Sequence, residues 1–226
     1  MSSLTRETEE TRVRVELDGL RAAGGGPGTT SPVPGPGAAI ATDDGFLTHM
    51  LVTLATYARL PLTLEASGDL RHHVIEDVAI TLGTLLGRDT PATCARYGDA
   101  TIPMDDALVQ VVLDAGGRPH FEGTLPSDLY EHFFRSLALN ADWTVHVRVV
   151  RGTDRHHIVE AAFKALGAAI RQALADDGQV FSTKGAVEVE WDEDLDEAAE
   201  LGPAPERTDE TGEPDAGTAR VGGEDV

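Results

Sequence analysis

The chain of 226 residues holds one cysteine, Cys94, which excludes an internal disulfide framework and fits a reducing compartment, the cytoplasm. It has no apolar run of about 18 residues, so no membrane-spanning helix is expected. The opening MSSLTRETEE has no basic segment leading into an apolar one, so no secretory signal is expected either. Walker, dinucleotide-binding glycine and Ser-His-Asp patterns are missing, which removes support for nucleotide use and acyl transfer. Lysine is scarce: of 18 basic residues only Lys164 and Lys184 are lysines. The net charge is −21, of which −13 falls from Glu188 onward (15 acidic, 2 basic residues), leaving −8 for the rest. Without clustered cations to neutralise phosphates, no nucleic-acid partner is expected.

What is present is patterned. Residues 4–20 alternate Val13, Val15 and Leu17 with polar residues and read as a strand. Residues 23–41 are dense in Gly and Pro and read as a flexible loop or a hairpin insertion. FLTHMLVTLATYARL (46–60) has helical spacing of Phe46, Met50, Leu51 and Leu54, and PLTLEAS after it reads as a strand. The second half repeats this order, with a helix over 125–141, a strand over 143–150 and a helix over 155–174. The expected organisation is one domain over residues 1–190, with halves of about 4–90 and 91–187, and an acidic disordered tail over 191–226.

The strongest signal is a repeat. RHHVIED (71–77) and RHHIVEA (155–161) place His72, His73 and Glu76 at a constant offset of 84 from His156, His157 and Glu160. In H-H-x-x-E on a helix, the second His and the Glu are three apart and share a face, while the first His points elsewhere. Each helix therefore offers a His–Glu pair to one metal and a His to another, a donor mix that suits Mn, Fe or Zn better than Mg or Ca. A single copy reads equally well as solvated histidines at a helix start, whereas two copies in register favour metal binding.

The remaining histidines rank behind these. His49 in LTHML and His146 in TVHVRVV each read alone as structural histidines, and beside the repeat they become candidate completing ligands; His120 and His132 have weaker claims, although His132 sits roughly where His49 sits in the first half. Arg96, Arg118, Lys164, Ser182 and Lys184 have the composition of an anion site, Arg and Lys with a Ser–Thr turn.

Over residues 6–185 the chain resembles the imidazoleglycerol-phosphate dehydratase family, on RETEET with LDG, HML, HHVIED, RYG, PMDDAL, GRP, HHIVEAAFKAL and STKG. The resemblance implies a duplicated α+β fold, two sheets around a central helical layer of the ribosomal protein S5 domain 2-like kind. It implies a monofunctional hydro-lyase of histidine biosynthesis, assembled as a twenty-four-subunit homo-oligomer with two Mn2+ per site between subunits. By motif, the metal ligands would be His49, His72, His73, Glu76, His146, His156, His157 and Glu160. Glu10, His49 and His73 would be catalytic, with Glu10 as acid/base. Glu10, Arg96, Arg118, Lys164, Ser182 and Lys184 would contact a small phosphorylated imidazole substrate.

Five positions depart from the family pattern: Thr48 and Arg71 stand where Asp is usual, Tyr57 where His is, Asp154 where Asn is and Gly116 where Ser is. None is one of the implied metal ligands. They motivate an alternative reading, a metal-binding shell protein with weakened catalysis; a hydrolase of another phosphorylated azole is a third.

Overall fold

A computed structural model describes residues 1–18 and 39–180. The expected acidic tail, Ser182, Lys184 and most of the Gly/Pro-rich segment lie outside the described residues.

Each half spells the same sequence of elements. The first runs β1 (Ser2–Glu7), β2 (Thr11–Leu17), β3 (Ile40–Thr42), α1 (Gly45–Ala58), β4 (Leu62–Gly68) and α2 (Arg71–Asp89). The second runs β5 (Tyr97–Met104), β6 (Ala107–Asp114), β7 (His120–Gly123), α3 (Asp128–Asn140), β8 (Thr144–Arg151) and α4 (Arg155–Ala173). The sheets have matching orders, β1-β2-β4-β3 and β5-β6-β8-β7. In both, the third strand pairs parallel with the strand that follows the short helix, and the other neighbours are antiparallel.

Two expectations are corrected here. Residues 4–20 are not one strand but a hairpin, because the Thr8 side chain accepts the backbone N–H of Glu10 and Thr11 (3.2 and 3.0 Å) and turns the chain. Ile40 and Ala41 are not loop but β3, in register with Leu64 and Glu65 of β4.

Strand alternation puts Val13, Val15 and Leu17 of β2, and Val109, Val111 and Leu113 of β6, on the buried faces. α2 packs on sheet 1 and α4 on sheet 2, and the helices then meet crosswise, α1 with α4 and α2 with α3. Each long helix thus has as its neighbour the short helix of the other half. Two glycines permit this approach. A Cβ on Gly83 would lie 2.6 Å from the Leu137 carbonyl oxygen, and one on Gly167 would lie 2.7 Å from that of Leu54. Phe133 and Phe134 pack on Phe163 at ring separations of 5.0 and 5.1 Å, filling the α3–α4 region with apolar bulk. Among the described residues no helix is long and apolar enough to cross a membrane.

Candidate functional site

The crosswise packing builds two clusters. His49 on α1 meets His156 and Glu160 on α4, and His132 on α3 meets His72 and Glu76 on α2. In each, the ligand atoms lie within 4.8 Å of one another. Glu160 Oε2 is 3.4 Å from His49 Nε2 and 3.1 Å from His156 Nε2. Glu76 has His72 Nε2 at 3.4 Å on one oxygen and His132 Nε2 at 3.2 Å on the other. Phe46 packs edge-on against both His156 and Tyr130 at 5.2 Å, which fixes the first imidazole from its apolar side.

The expected pairing within each H-H-x-x-E segment is therefore corrected. The glutamates meet the first histidine, four residues back, and not the second. Four residues bring a helix back to within about 40° of the same face, whereas three leave about 60°. The second histidines turn to other carboxylates. His73 Nδ1 donates to Asp69 Oδ1 (2.8 Å), and His157 Nδ1 donates to Asp106 Oδ1 (2.8 Å). These bonds hold both imidazole pKa values above the ordinary histidine value and both carboxylates below theirs. With Nδ1 engaged, Nε2 is the nitrogen left to bind a metal.

Asp106 is itself fixed. Its Oδ2 accepts from Thr153 N (2.6 Å), Thr153 Oγ1 (2.9 Å) and Asp154 N (3.1 Å). Asp154 caps α4, accepting the N–H groups of His156 and His157.

Glu10 occupies the β1–β2 turn, and its carboxylate lies 3.5 Å from His73 Nδ1. The turn is tied to α2 through buried Asp77, which accepts Arg6 Nε (2.9 Å) and the Thr11 hydroxyl. The β5–β6 turn carries Asp105 and Asp106 against His157, so each half sets turn carboxylates beside its second histidine.

Three members of the anion set, Arg96, Arg118 and Lys164, lie among the described residues. Arg96 is engaged by Asp114, through Nε (2.7 Å) and Nη2 (3.0 Å), beside a cleft of about 430 Å³ bordered by Cys94, Ala115, Gly116 and Gly117. Asp114 lies below the usual carboxylate range, because Arg96 and the Gly116 N–H outweigh the opposing effect of burial. The Arg118 carbonyl accepts the Thr144 hydroxyl (2.7 Å). Lys164 Nζ lies 3.0 Å from Glu160 Oε1, in the first cluster rather than with the arginines. Exposed His146 stands on β8 with its ring 5.6 Å from that of His120, and it belongs to neither cluster.

His132, which has a weaker claim in the sequence, is brought beside His72 and Glu76. Its signal was its place in α3, matching that of His49 in α1. The five departures from the family pattern all have structural partners. Thr48 bonds Thr42 (2.9 Å), Arg71 pairs with the α1 cap Asp44, and Asp154 caps α4. Tyr57 faces Lys164 at 5.9 Å, and Gly116 lies where a Cβ would crowd Arg96 Nε at 3.1 Å.

Fold and site together define a class, an internally duplicated α+β protein whose two imidazole–carboxylate clusters each draw on both halves. Residues 42–170 match the family model described as imidazoleglycerol-phosphate dehydratase. The chain belongs to this family of hydro-lyases. An imidazoleglycerol-phosphate dehydratase from Solidesulfovibrio magneticus is 43% identical over 202 residues, covering 81% of this chain and 96% of that one. One from Heliobacterium modesticaldum is 39% identical over 206 residues, covering 82% and 98%. A crystal structure of IGPD from Pyrococcus furiosus in complex with (S)-C348 aligns with a TM-score of 0.68 at 36% identity, covering 81% of this chain and all of that one.

Proposed function

We propose that the chain dehydrates imidazole glycerol phosphate to imidazole acetol phosphate, a step of histidine biosynthesis, in the cytoplasm and with two manganese ions per site. The observation that carries this reading is the pair of clusters within 4.8 Å ligand spacing, each flanked by a histidine whose Nδ1 is held by a carboxylate. Two imidazoles and one carboxylate form a donor set that fits Mn, Fe or Zn, and manganese is the ion that the resemblance to the family implies. His49, His156 and Glu160 would hold one ion, and His72 and Glu76, with His132 beside them, the other. His73, His157 and His146 would complete such sites across subunits of a homo-oligomer, twenty-four in the family's pattern.

Bound there, the metals would supply Lewis-acid stabilisation of the substrate's imidazolate. The chain's own groups do the rest. Removing water takes the hydroxyl from the carbon attached to the imidazole and a proton from the carbon next to it, and the resulting enol becomes the ketone. Glu10, held by the Thr8 turn, is the carboxylate that moves the proton. Arg96, oriented by Asp114, and Arg118 bind the phosphate with Ser182 and Lys184, far from the reacting carbons, which orients the substrate.

The test is turnover of metal-free protein reloaded with Mn2+, followed by formation of imidazole acetol phosphate. The expected result is activity that requires the metal and is lost in Glu10→Gln. A loaded, folded protein without turnover would instead favour the shell-protein reading.

A further inference from the structure

The two clusters match in geometry and differ in charge. One turn beyond Glu160 stands Lys164, whose ammonium lies 3.0 Å from Glu160 Oε1. Met104 Sδ at 3.4 Å and the Tyr57 ring at 5.9 Å hold it there from two other sides. The offset of 84 places half-buried Ile80 at the matching position, one turn beyond Glu76. Among the described residues Glu76 has no lysine partner; its Oε1 faces His132 Nε2 at 3.2 Å, a buried nitrogen without an aligned hydrogen bond.

Burial explains the difference. The Glu160 side chain is 9% exposed and needs a compensating cation in the folded chain, whereas that of Glu76 is 34% exposed and is stabilised by water. A divalent cation approaching Glu160 therefore meets a carboxylate already paired and an ammonium a few ångström away. A cation approaching Glu76 meets a carboxylate with no ammonium beside it among the described residues, and two imidazole nitrogens.

We propose that the two clusters are unequal cation sites that fill in order, the His72–Glu76–His132 site before the His49–His156–Glu160 site. The proposal rests on the dimetal reading above and adds Ile80 and Lys164 as the residues that set the order. Repulsion between like charges at this range is large enough to separate the two dissociation constants by at least about tenfold.

The experiment is a titration of the metal-free, full-length protein with Mn2+, read by the electron paramagnetic resonance signal of the free ion. Two classes of site are expected, one ion each per chain. Glu76→Gln should remove the tighter class, and Lys164→Met should bring the weaker class toward the tighter one. Ile80→Lys, at a half-buried position, should weaken the tighter class and serves as the second variant if Lys164→Met fails to fold. Two equal sites in the parent protein, or loss of the weaker class in Glu76→Gln, would overturn the ordering. So would a separation that Lys164→Met and Ile80→Lys leave unchanged. Failure to bind any manganese would overturn the dimetal reading itself, and the ordering with it.

Discussion

His49 Nε2 lies 3.4 Å from Glu160 Oε2, although one residue belongs to the first half of the duplication and the other to the second. His132 and Glu76 form the reciprocal pair at 3.2 Å. Neither half alone holds a complete cluster, so the site depends on how closely α1 meets α4 and α2 meets α3.

That closeness is testable at the two contact glycines. Gly167→Ala would force a methyl to within 2.7 Å of the Leu54 carbonyl oxygen, and Gly83→Ala would do the same at 2.6 Å from that of Leu137. Each should destabilise the fold by about 1–3 kcal/mol, because backbone cannot give way as a flexible side chain does. Thermal unfolding gives the stability change and elemental analysis gives the metal, which should also fall. Unchanged melting and metal content in both variants would show that the helices have slack.

Asp106 positions His157 through one oxygen and anchors to Thr153 and Asp154 through the other. Asp106→Asn should lower metal affinity by about 10–100-fold, the usual consequence of losing a carboxylate behind a ligand histidine. Asp69→Asn should act alike on His73. Competition with a coloured chelator measures both, and full retention in the two variants would mean that the carboxylates do not orient the rings.

The same pair defines a pH window in the metal-free protein. Asp106, with its pKa lowered chiefly by His157, contributes stability above the ordinary value of 3.8 and loses it as pH falls through the folded value. His157, with its pKa raised chiefly by Asp106, contributes stability below 6.5 and loses it as pH rises through its folded value. The gap in melting temperature between the parent and Asp106→Asn should therefore be widest between about pH 4 and 6.5. It should narrow on both sides, though not vanish above, since the Thr153 and Asp154 amides still bond Asp106. A gap that is flat from pH 3 to 9 would exclude the ion pair as its source.

Metal removal tests the assembly reading. Ligands that bind only the assembled state stabilise it by mass action. If sites are completed between subunits, chelation should shift the protein to smaller species, and Mn2+ at neutral pH should restore the large one. Light scattering before and after chelation decides this; an unchanged mass would place the assembly contacts elsewhere.

The duplicated α+β architecture and its helices were legible in the sequence. Apolar periodicity sets which face a segment buries, and a repeat at constant offset makes the two halves adopt one topology. His72, Glu76, His156 and Glu160 were legible for the same reason, as was His49. The β1–β2 hairpin was not, because its turn depends on a threonine side chain closing onto Glu10 and Thr11, with no glycine or proline to mark it.

The sequence by itself determined which residues are equivalent: His72 with His156, Glu76 with Glu160, and approximately His49 with His132. Only the tertiary structure decided which of them meet. An offset along the chain does not say that α1 crosses to α4 and α2 to α3, and that crossing puts His132 beside Glu76 and Lys164 on Glu160. It also decided that each glutamate takes the first histidine of its pair, since the second is drawn away by Asp69 or by Asp106. Asp106 comes from a hairpin far off in sequence, and distant partners of this kind are set by packing rather than by local spacing.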